Sequence, residues 1–82
     1  VFHTEKKRLF LDLEKEAVEC GGVVAALLSY MKKLKTGDEL LIKAGKDQVD
    51  ELRESLDLFS RYGLIKIIEK KSEDEIIIEK IK

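Results

Sequence analysis

From Gly22 to Lys35 the apolar residues Val23, Val24, Leu27, Leu28, Met31 and Leu34 recur at three- and four-residue spacing, which predicts an amphipathic helix buried on one side. Lys32, Lys33 and Lys35 close it, where positive charge complements the exposed carbonyls, and Thr36-Gly37-Asp38 stops it. Glu39 to Ala44 reads as a short strand. Gly45-Lys46 then turns the chain into a second helix over roughly 47–62, with Asp47 as N-cap and Gly63 as its left-handed stop. Val49, Leu52, Leu56 and Phe59 form the inward stripe of that helix. Two Ile-dense runs, Leu64 to Glu69 and Glu75 to Ile81, flank the polar loop Lys70 to Asp74 and predict a β-hairpin. Ile76, Ile77 and Ile78 in succession imply a last strand covered on both faces over part of its length.

The segment Leu9 to Ala17 carries two patterns. Leu9, Leu13 and Ala17 are spaced for a helix, whereas Leu9, Leu11 and Leu13 alternate as in a strand. Local propensity leans towards helix, since Glu14, Lys15 and Glu16 are good helix formers and Val18 is the only β-branched residue between Leu9 and Cys20. Two architectures follow. A strand here makes the chain βαβαββ, an α/β two-layer sandwich with both helices on one face of a four-stranded mixed sheet. A helix here brings the chain close to a winged helix-turn-helix.

With 82 residues, the chain has room for one core. Residues 1–7, where charges crowd around the single His3, read as a flexible N-terminus, and 8–82 as the single domain. Sixteen Lys and Arg against 17 Asp and Glu leave a net charge of -1, so no global field draws the chain to nucleic acid. The uncharged stretch around Gly21 to Met31 falls well short of the roughly 20 apolar residues that span a bilayer. A cytoplasmic protein with no membrane partner is the expectation. No proline and an excess of Lys, Glu and Ile fit a heat-adapted, thermophile source. One cysteine, Cys20, excludes an intrachain disulfide, and one His with one Cys does not complete a four-ligand zinc site.

The string Leu13-Glu14-Lys15-Glu16-Ala17-Val18-Glu19-Cys20 falls without a gap on the strand-end pattern L-D-x-x-G-x-x-C, with Glu14 in place of the Asp and Ala17 in place of the Gly. In this the chain resembles the TusA/SirA-like family of small sulfur-carrier proteins, with Cys20 on the family's cysteine. The likeness continues through the amphipathic helix, the turn Leu34 to Asp38, the strand Leu40-Leu41-Ile42, Gly63, and the final hairpin. It implies the βαβαββ fold and assigns Leu9 to Leu13 to a strand. The chain departs from the family's Cys-Pro-x-Pro signature, reading Cys20-Gly21-Gly22-Val23 with both prolines gone. The family's acidic pair after the second strand is here Gly45-Lys46.

What the resemblance implies is a carrier without turnover of its own and without a cofactor. It would accept persulfide sulfur on Cys20 from a cysteine desulfurase or rhodanese-like donor, and pass it to a sulfur-relay acceptor such as a tRNA-thiolation protein. Such chemistry needs an exposed thiol of lowered pKa. The start of the helix after Gly22 supplies positive potential, and Gly21 and Gly22 supply bare backbone at the helix mouth. Glu16 and Glu19 act in the opposite sense if they face the thiol. The winged-helix reading makes the chain a DNA-binding or adaptor domain, suggested by the run from Phe59 to Ile65 into a hairpin. Its recognition helix would hold Asp47, Asp50, Glu51, Glu54 and Asp57 against Arg53 and Arg61, which excludes strong, specific nucleic-acid binding. The third reading is an interaction module that keeps the fold and a silent cysteine.

Overall fold

A computed structural model describes residues 7–82. Residues 1–6, with His3, lie outside the described part. In chain order the elements are β1 (Arg8–Asp12), α1 (Leu13–Cys20), α2 (Val23–Met31), β2 (Glu39–Lys43), a turn of 3-10 helix (Lys46–Gln48), α3 (Val49–Arg61), β3 (Ile65–Lys70) and β4 (Glu75–Lys80). The strands form one mixed sheet in the order β1-β2-β4-β3. β1 and β2 run parallel, and β4 is antiparallel to both β2 and β3.

The four-stranded mixed sheet agrees with expectation, but the two-helix βαβαββ pattern does not. Three α-helices are present among the described residues, and α1 and α2 follow one another between β1 and β2 where one helix was expected. The cause is visible around Asp12. The alternation of Leu9 and Leu11 builds β1, and the spacing of Leu13 and Ala17 builds α1, so the competing patterns hold in turn rather than one excluding the other. Asp12 joins them as N-cap: its backbone is still extended, and its Oδ1 accepts the Glu14 N–H at 3.2 Å. Glu14 and Glu16 then place negative charge in the first turn of α1. The premise of the winged-helix reading, one helix through Leu9 to Ala17, is not met.

α1 ends where Gly21 takes a left-handed φ of 91°. The N–H groups of Gly21 and Gly22 both return to the Ala17 carbonyl, at 3.0 and 2.7 Å, closing the helix tightly. Gly22, at φ 131°, caps α2. α2 stops at Met31, short of the expected Lys35, and tight turns then carry the chain to Leu34 and Asp38. The second predicted helix begins as a 3-10 turn. Instead of an Asp47 cap, Gln48 organises the start of α3, accepting the Gly45 N–H at 2.8 Å and donating to the Leu13 carbonyl at 2.9 Å. Gly45 also passes so close to α1 that a Cβ there would lie 2.7 Å from Cγ of Glu14.

The helices cover one face of the sheet. Leu11, Leu40, Ile42, Ile65, Ile76 and Ile78 from the strands pack with Leu13, Ala26, Leu27, Leu52, Leu56 and Phe59 from the helices in one core. Each such Leu or Ile side chain contributes about 1.5–3 kcal/mol when fully buried. Ile76, Ile77 and Ile78 are all buried, as their run implied, but Ile77 lies outside that core cluster, because it alternates to the helix-free face.

Candidate functional site

Cys20 occupies the elbow between α1 and α2, as the last residue of α1 and two positions before the Gly22 cap. It is half-buried, a free thiol leaning against the core. The expectation of a thiol at the mouth of a single helix changes in two respects. The thiol rides at the carboxyl end of α1, the negative end of that short helix. The N–H groups of Gly21 and Gly22, expected as bare backbone for a sulfur anion, are spent on Ala17. The first α2 hydrogen bond runs from the Ala26 N–H to the Gly22 carbonyl, so the N–H groups of Val23, Val24 and Ala25 remain without helical acceptors.

The conformation of Gly21 decides what position 21 can hold. Proline requires φ near -65°, and Gly21 sits at 91°, so a proline at position 21 would break the elbow. Position 23, the first residue of α2, accepts proline geometrically.

Around the elbow, Glu16 lies one helical turn before Cys20 on α1, and Tyr30 comes across from α2. Burial first, then the Glu16 carboxylate as neighbouring charge and hydrogen-bond acceptor, then Cys20 and Glu19, hold the Tyr30 phenol above its ordinary pKa. The Lys33 ammonium lies 4.5 Å from the centre of the Tyr30 ring, a cation–π contact on its other flank. A hydroxyl, a carboxylate and a thiol therefore share one neighbourhood. No local pattern in the sequence marks Tyr30. The i to i+4 spacing of Glu16 and Cys20 was the available signal for its neighbour.

Other hollows lie elsewhere. The hollow between the start of α3 and the β3–β4 loop is lined by Lys46, Asp50, Arg53 and Ser72 among others, and Cys20 does not line it. Arg53 there is engaged by Asp50 at 3.0 Å. Among the described residues no helix is long and apolar enough to cross a membrane. Compared with known proteins, the chain matches no family model, no curated protein and no solved structure.

Proposed function

We propose that this chain carries sulfane sulfur on Cys20 in a cytoplasmic sulfur relay. The observation that carries the reading is the placement of the single cysteine at a partly exposed elbow, with Glu16 and Tyr30 beside it, instead of deep in the core. The Cys20 thiolate attacks the outer sulfur of a donor persulfide. A new S–S bond forms at Cys20, the donor's S–S bond breaks, and the electron pair leaves on the donor thiolate, so no external oxidant or reductant is needed. The sulfane proton stays with the transferred sulfur. Glu16, one helical turn before Cys20, takes the thiol proton beforehand and returns it when the sulfur moves on, while the neutral Tyr30 hydroxyl serves as a hydrogen-bond donor in the same neighbourhood. A cysteine desulfurase or rhodanese-like protein fits as donor, and a relay protein serving tRNA thiolation fits as acceptor.

The test is intact mass after incubation with a desulfurase and cysteine. Wild type gains one sulfur atom and Cys20→Ser gains none, while Tyr30→Phe slows the gain without abolishing it. A Cys20 that alkylates only after denaturation and never gains sulfur overturns the reading and leaves an interaction module with a silent cysteine.

A further inference from the structure

The two edges of the sheet are built differently. β3 carries a bulge between Ile67 and Glu69 and exposes Lys66 and Lys70, devices that discourage pairing with another strand. β1, the other edge, is regular over all five residues.

The pairing of β1 with β2 fixes which of its backbone groups face outwards. The Glu39 N–H donates to the Lys7 carbonyl at 2.8 Å, and Arg8 is the register partner of Glu39. In a parallel ladder this commits Lys7, Leu9 and Leu11 to β2 and turns the N–H and C=O groups of Arg8, Phe10 and Asp12 away from it. No hydrogen bond to the outward N–H of Phe10 is present among the described residues. The side chains of these same residues lie on the helix-free face, where Phe10 is 53% exposed. Phe10 begins an apolar row that crosses the sheet through its register partner Leu41 to Ile77.

We propose that the β1 edge pairs antiparallel with the β1 edge of a second copy of this chain, about a two-fold axis at Phe10. The sequence Arg8-Leu9-Phe10-Leu11-Asp12 is self-complementary under that operation. Arg8, whose guanidinium also pairs with Glu39 of its own chain at 2.7 Å, falls opposite Asp12 of the second copy, Leu9 opposite Leu11, and Phe10 opposite Phe10. The Phe10 backbones exchange both of their hydrogen bonds, and the Asp12 N–H donates to the Arg8 carbonyl. Charge complementarity selects this occupant and register, because a one-pair slip would set Phe10 against a charged residue. The two apolar rows join across the axis into one, giving the exposed Phe10 rings each other as cover.

The proposal is independent of sulfur transfer, and the whole chain tests it. Sedimentation over micromolar to millimolar protein is expected to show a monomer–dimer equilibrium. The Phe10 amide should gain protection from hydrogen exchange as concentration rises. Phe10→Pro removes an outward N–H and leaves the β1–β2 ladder its bonds, so it should raise the dissociation constant about tenfold or more. Arg8→Asp, which sets like charges opposite each other, should raise it in the same sense while circular dichroism stays native. A monomer at every concentration, a dimer indifferent to both substitutions, or Phe10 protection that does not depend on concentration would overturn the proposal. The last result would mean that the chain covers its own edge.

Discussion

The Lys80 ammonium donates to the Leu34 carbonyl at 2.8 Å, with the Met31 carbonyl sharing it at 2.9 Å. The last residue of the central strand thereby finishes the turn that follows α2, satisfying carbonyls that the helix itself leaves open. Replacing Lys80 with Met keeps the stem and removes the donor. It should cost about 1–2 kcal/mol, at the low side of charged hydrogen bonds because the site is partly wet. Urea denaturation with an unchanged slope would check it.

Gln48 ties two further elements together, and its loss should be felt at both. Gln48→Ala removes the acceptor for Gly45 and the donor to Leu13 in one step. About 1–3 kcal/mol of destabilisation is expected. Gln48→Glu keeps the first bond and loses the second, so it should fall between wild type and Ala in the same denaturation series.

Asp38 sets the response to acid. Its oxygens accept the backbone N–H groups of Lys35, at 2.9 Å, and of Lys7, at 3.1 Å. These bonds, the Lys35 bond foremost, lower its pKa against the opposing effect of burial. A carboxyl held below its unfolded value adds stability that is complete above about pH 4 and is lost as pH falls through the folded value. Asp74, lowered by the Ser72 hydroxyl at 2.6 Å, loses its contribution in the same direction. Asp38→Asn should therefore be less stable than wild type at neutral pH and show a flatter decline in acid. Urea midpoints across that range would measure both effects.

At the elbow, Gly21→Ala should cost about 1–2 kcal/mol, because position 21 is left-handed while the space around it is open. Gly21→Pro should cost about 3 kcal/mol or more. If sulfur acceptance depends on the elbow, both variants should lose it in proportion to their unfolding at the assay temperature, as thermal melts run beside the mass measurement would show.

Much of the fold was legible in the chain. The stripes of α2 and α3, the β3–β4 hairpin and the Ile76 to Ile78 run all follow from side-chain periodicity, because burial on one face dictates it. α1 was hidden because its eight residues stood inside a longer segment with two superposed patterns. Only the Asp12 cap separates the two patterns, and it makes a side-chain bond that periodicity does not register. Gly21 and Gly22 read as bare backbone at a helix start, when a glycine one position after a helical stretch is equally the mark of a helix end. Cys20, expected at the mouth of one helix, lies at the elbow between two and ends the first of them. Tyr30 joined the site only through packing of α2 on α1, which no local signal carries.

The order β1-β2-β4-β3 has a consequence for how the molecule assembles. The last strand in the chain lies between the second and third, so the sheet stays in two pieces until β4 arrives. Without it, β2 has only the parallel β1 beside it, and β3 has no partner at all. Neither piece closes the core, since Ile76 and Ile78 are among its walls. Folding is thus committed by its final segment: a chain cut after Lys71 should lack a stable half-folded form, and the domain should gain or lose its structure as one unit.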